Sequence, residues 1–124
     1  MTREYPDVNF VLDLIHSAKG IAVMAHPVMF NNTELLLELI EAGKLDGIEA
    51  YHHSATPTQQ QKLVDIAKEH DLIVTGGSDF HGLYNETMTH IGSMTTDKEN
   101  LDKLFKLIHI NSQKANKAAV KTEK

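Results

Sequence analysis

The chain has no cysteine, which excludes disulfides and thiolate metal sites. Any bound metal must rely on His, Asp and Glu, a donor set that suits zinc, manganese or iron. No apolar run approaches the ~18 residues of a membrane-spanning helix. The opening Met1-Thr2-Arg3-Glu4-Tyr5-Pro6 shows no signal-peptide pattern. The expectation is a cytoplasmic protein with no membrane partner. Positive charge is scarce too, with 12 Lys and Arg against 17 Asp and Glu and a net charge of −5. That balance argues against a nucleic-acid-coating surface, while leaving room for a phosphate drawn in by a local positive site such as a metal.

What is present suits one globular domain. The 124 residues are enough for a hydrophobic core, and 41% apolar and 23% charged content are ordinary. Histidine is the unusual feature, with eight in the chain, and position must decide what they do.

Val11, Leu14, Ile15 and Ala18 follow an amphipathic helical spacing, with Asp7 as N-cap and Gly20 as C′ residue. Ile21–Ala25 is a short apolar run suited to a buried strand. His26-Pro27 ends it, because proline cannot continue the ladder. Thr33–Ala42 forms a second helical pattern around Leu36, Leu37 and Ile40, stopped by Gly43. Ile48–Tyr51 reads as a strand after the Asp46-Gly47 turn. Thr56, Pro57 and Gln59 spell a capping box for a helix running to about Glu69, with Leu63, Ile66 and Ala67 inward. Leu72–Thr75 is the third strand, broken by Gly76-Gly77, and Ile91–Thr95 a candidate fourth. Leu101, Leu104, Phe105 and Ile108 mark a last helix, and residues 113–124 read as a flexible Lys- and Ala-rich tail beyond a domain of residues 1–112. Strands starting near 21, 48 and 72, about 25 residues apart and alternating with helices, imply an α/β fold with a parallel sheet.

Parallel α/β folds place chemistry at the carboxyl ends of their strands. Here the first strand is followed by His26, and the second ends with Glu49, His52 and His53. The third runs into Gly77-Ser78-Asp79-Phe80-His81-Gly82. Asp79 and His81, two apart in an extended segment, can face one ion. Glu49 can be an inward ligand, a supporting residue or solvent-facing. His52 and His53 point oppositely if the strand continues, so only one is expected to face the site. Ser78 can contact a phosphate or orient Asp79. His16, His70 and His109 fall in or beside helices as solvated residues, and His90 is undecided.

The segments Gly20–Pro27, Asp46–Tyr51 and Gly77–Gly82 together resemble the later motifs of the PHP (polymerase and histidinol phosphatase) superfamily, nearest its small nucleotide-directed phosphoesterases. The resemblance covers about residues 10 to 95. It implies a distorted seven-stranded (βα) barrel, of which this chain holds three or four strands. It also implies a centre of two or three divalent metals, with His26, Asp79 and His81 as ligands and Asp79 and His81 in catalytic positions. The implied activity is hydrolysis of a phosphorylated small molecule or nucleotide.

The family's early His-x-His motif is absent from the chain. The expectation is therefore the C-terminal portion of the domain, partnered by a missing N-terminal segment and inactive alone. A non-catalytic metal- or nucleotide-binding module is the alternative. A partial barrel cannot close. Val23, Ile48 and Ile73 are expected to line an exposed former interior, and self-association to follow.

Overall fold

The computed structural model describes residues 2–84 and 89–122. Its elements are α1 (Val8–Ser17), β1 (Val23–Met24), α2 (Thr33–Glu41), β2 (Gly47–Tyr51), α3 (Pro57–Glu69) and β3 (Ile73–Gly76). A short 3-10 turn at Gly82–Tyr84 and α4 (Lys98–Thr122) complete it. The three strands form one parallel sheet in the order β1-β2-β3, as the alternation of strands and helices implies. Among the described residues, no helix is long and apolar enough to cross a membrane.

The helix ends explain why the chain repeats. Asp7 caps α1 by accepting from the backbone N–H groups of Asn9 and Phe10. Thr56 and Gln59 close a full capping box on α3, with Pro57 as the first helical residue. The three helices that precede a strand stop the same way, with a left-handed residue at C′: Lys19, Gly43 and Asp71. The next N–H in each case reaches back to the last turn, as in Gly20 to Ile15, Lys44 to Leu39 and Leu72 to Ala67. Gly20 is thus one place beyond its expected C′ position, which Lys19 occupies. Each stop delivers the chain directly to the start of a strand.

The core lies where these helices cover the sheet. Leu12, Leu36, Leu39, Ile40, Ile48, Ala50, Leu63, Val64, Ala67 and Val74 are buried in one cluster. In α1 the inward stripe is Val8, Leu12 and Ile15, and the expected Val11 and Leu14 are exposed. Leu37 is likewise outward. The expected exposure of Ile48 and Ile73 is incorrect. Ile48 pairs with Met24 and Val74 on the helix-covered face. Ile73 is buried and shares a cavity wall with Leu107 and Ile110 of α4.

The expected fourth strand at 91–95 is not formed. The outer edge of β3 is met by side chains instead. The Val74 N–H donates to Asn100 Oδ1 (2.8 Å) and the Gly76 N–H to Thr96 Oγ1 (3.1 Å). Gly76 has no room for a Cβ, which would lie 2.6 Å from the Thr95 carbonyl oxygen. Because Asn100 is buried against β3, it sets the rotation of α4. Leu104 and Leu107 then turn partly inward, while Leu101, Phe105 and Ile108 are exposed. The helix continues through Thr122, so residues 113–122 are helical where a tail was expected.

Asp97 starts α4 by accepting from the Asn100 backbone N–H (2.8 Å) and side-chain amide (3.0 Å). These bonds hold its carboxyl below the ordinary 3.8. Asp97→Ala is expected to lower stability by about 1 kcal/mol. A depressed carboxylate stabilises above its unfolded value, and the effect is lost as pH falls through the lower folded value. The difference between wild type and variant should therefore shrink in acid denaturation series as pH falls below 3.8 toward the lower folded value.

Candidate metal centre

The carboxyl ends of the three strands bring the predicted residues together. β1 runs into His26, β2 into His52 and His53, and β3 into the loop carrying Asp79 and His81. The His26 and His52 ring centroids are 5.0 Å apart, and those of His52 and His53 are 4.1 Å apart. One ligand atom from each of His52, His53 and Asp79 lies within 4.8 Å of the others. The expectation that only one of His52 and His53 faces the site is overturned. β2 ends at Tyr51, so strand alternation no longer governs the pair.

Backbone conformation marks the same places. His26 (φ 28°) and Asp79 (φ 53°) are both left-handed. Such non-glycine positions cost on the order of 1–3 kcal/mol each and persist only where surrounding structure imposes them. Around His26 the constraint is a buried Pro27 and a Glu49 Oε1 that accepts the His26 backbone N–H (3.1 Å). Glu49 therefore acts as the strap between β2 and the β1 loop.

The hydrogen bonds assign a different tautomer to each histidine. His52 is 1% exposed. Its Nδ1 accepts the Ser54 backbone N–H (3.1 Å) and so carries no proton. In the neutral ring the proton is on Nε2, which donates to Asp79 Oδ2 (2.9 Å). A histidine ligating through Nε2 would need a proton on Nδ1, where it would oppose that N–H. His52 therefore holds Asp79. His81 is the reverse case. Its Nδ1 lies 2.6 Å from the Asp79 carbonyl oxygen and donates to it, which leaves Nε2 bare. An N–H anchored on a carbonyl with the other nitrogen free is the usual arrangement of a ligating imidazole. Among the described residues, His26 Nδ1 is buried with no hydrogen-bond partner, an orphan that a cation would satisfy.

Asp79 is the common point. His52's hydrogen bond is the largest influence holding its carboxyl below 3.8, opposed by burial and aided, whenever those rings are protonated, by His81, His52 and His26. It stays an ionised acceptor across ordinary pH. Among the described residues, His52, His53 and Asp79 are the group whose donor atoms lie within 4.8 Å of one another, with His26 and His81 beside it, and this mixed nitrogen and oxygen set suits zinc, manganese or iron. The residues present fit a divalent ion. Ser78 is half-buried in the same loop, and the task of orienting Asp79 falls to His52 rather than to it.

Outside this edge, His16 Nε2 pairs with Asp46 Oδ2 (2.8 Å), which also accepts the Ala22 N–H (2.7 Å). That pair ties α1 to the opposite ends of the strands, a structural role that helical spacing alone did not disclose. His70 caps the end of α3.

No family model matches the chain. Over 89 residues it is 34% identical to the phosphoribosyl 1,2-cyclic phosphate 1,2-diphosphodiesterase of Eggerthella lenta, covering 72% of this chain and 33% of that protein. Over 82 residues it is 39% identical to a 5′-3′ exoribonuclease of Haemophilus influenzae, covering 63% and 30%. A crystal structure from Bifidobacterium adolescentis, provisionally named a metal-dependent phosphoesterase, matches with a TM-score of 0.74 and 31% identity. That match covers 86% of this chain and 38% of the other. The chain spans about a third of the length of the curated relatives it matches.

Proposed function

We propose that this chain, a relative of the PHP-type phosphoesterases in sequence and fold, supplies part of a divalent-metal centre for phosphoester hydrolysis. The observation that carries the reading is the opposed tautomers of His52 and His81 around Asp79. One imidazole orients the carboxylate, and the other offers a free nitrogen beside it. His26, Asp79 and His81 hold the ion, with His53 at its margin. A divalent ion bound there would supply Lewis acidity toward a phosphoryl oxygen and toward a water.

The chain's own residues do the positioning. His52 fixes the direction of Asp79 and keeps it ionised. Glu49 fixes the His26 backbone. His81 is held by the carbonyl of Asp79, so both ends of the Asp-x-His pair move as one unit. Three donors make one site, short of a two- or three-metal centre. Further ligands would come from another segment of the same domain, in line with relatives of which the matched segment is only about a third. The phosphoester is an RNA end or a sugar phosphate, the classes in the names of the relatives, or a nucleotide of the same phosphoester chemistry.

Calorimetric titration with zinc or manganese tests this. The expected result is at most about one ion per chain. Hydrolysis of a phosphomonoester should be at trace level for the chain alone and should rise when the additional donors are supplied in trans. Absence of saturable binding would overturn the metal centre. Robust turnover by the isolated chain would overturn its being partial. Metal binding with no turnover, even with the added donors, would indicate a binding module.

A further inference from the structure

The named relatives divide into two substrate classes, one a sugar phosphate without a base and the other RNA. Among the described residues two exposed phenyl rings flank the metal centre, Phe80 between Asp79 and His81 and Phe30 in the β1 loop, and Phe30 stands on the better-defined turn. Phe30 lies four residues after His26 and is 67% exposed. Its ring meets the His26 imidazole edge-on, with centroids 5.8 Å apart and planes at 64°. An apolar ring left in water is unremarkable on a loose loop. This loop is not loose. Met29 N–H bonds the His26 carbonyl (3.1 Å), Asn31 N–H that of Val28 (3.1 Å), and Asn32 N–H that of Pro27 (2.9 Å). Asn31 takes a left-handed φ of 54° to close the turn, and Pro27 is fully buried beneath it. The backbone beneath the exposed phenyl is thus held in place, one ring away from the ion's ligands.

We infer that Phe30 is a stacking platform for the nucleobase of the bound phosphoester, so that this chain serves nucleotides or RNA ends and not base-free sugar phosphates. The inference rests on the metal centre proposed above, which would fix the phosphate and leave the rest of the substrate to lie across the β1 loop. Aromatic stacking accepts every base because each has a π face. A ring whose backbone is already fixed by the turn loses little freedom on binding. The His26 edge contact links the two halves of the site, since the residue that holds the ion also supports the platform.

The test compares AMP with ribose 5-phosphate, which carry the same phosphomonoester with and without a base. Binding of each to the manganese-loaded chain is measured calorimetrically for wild type, Phe30→Ala, Phe30→Trp and the distant exposed-ring control Phe10→Ala. The wild type should bind AMP roughly 5- to 150-fold more tightly than ribose 5-phosphate. Phe30→Ala should erase that preference while ribose 5-phosphate and manganese still bind. Phe30→Trp should keep the preference, and Phe10→Ala should leave everything unchanged. Equal affinities in the wild type, or a Phe30→Ala variant that still prefers AMP, would overturn the stacking role while leaving the metal centre intact. Failure of ribose 5-phosphate to bind in a manganese-dependent way would overturn the metal centre, and the stacking role with it.

Discussion

Replacing Asp79 with alanine is expected to weaken divalent-ion binding by at least about a hundredfold, beyond the 10- to 100-fold typical of losing only a supporting residue. The same change should destabilise the fold. His52 is buried, and its Nε2 proton would lose the carboxylate that accepts it. An unsatisfied buried donor costs about 1–3 kcal/mol. Asp79→Asn separates the two effects. Asparagine keeps an acceptor oxygen for His52 and tolerates the left-handed backbone at this position, but it carries no charge for an ion. Thermal unfolding should show Asp79→Asn close to wild type and Asp79→Ala clearly lower, while calorimetry shows both unable to bind zinc tightly. Zinc affinity surviving in Asp79→Asn would remove Asp79 from the ligand set.

The second large effect is at His52. Its Nδ1 is committed to the Ser54 N–H and its Nε2 proton to Asp79, so it acts on the ion through the carboxylate. His52→Phe keeps an aromatic ring in the buried space and removes both bonds. Zinc affinity should fall about 10- to 100-fold with the number of sites unchanged, as for other residues that orient a ligand. A direct ligand would behave differently, since its loss would abolish the site. Titration of the variant separates the outcomes. A lowered affinity at unchanged stoichiometry supports a positioning role, and loss of all binding would make His52 a ligand.

Much of this architecture was legible in the sequence, for local reasons. The Thr56-Pro57-Thr58-Gln59 box sets the start of α3 through bonds within one turn, so nearby residues suffice to see it. Strand starts follow from apolar runs bounded by helix stops, and His26, Asp79 and His81 were placed at strand ends by that spacing alone. Features that depended on tertiary partners were hidden. The inward face of α4 is set by Asn100 reaching the Val74 N–H, and a polar residue gives no sign of burial in a hydrophobic pattern. The apolar stripe of Leu101, Phe105 and Ile108 pointed the wrong way for that reason. The missing fourth strand has the same origin, because Thr96 and Asn100 side chains take the bonds a strand would make. His53 joined His52 at the site because β2 stops at Tyr51, one residue before the alternation would have separated them.

Nitrogen-15 NMR of the histidine rings during zinc addition tests the central arrangement most directly. Without zinc, His52 should show a bare Nδ1 and a protonated Nε2, and His81 the opposite. With saturating zinc, His81 Nε2 and His26 Nδ1 should shift together, while His52 Nε2 keeps its proton. A zinc-dependent shift at His52 Nε2 with His81 unmoved, or no histidine shift at all, would contradict it.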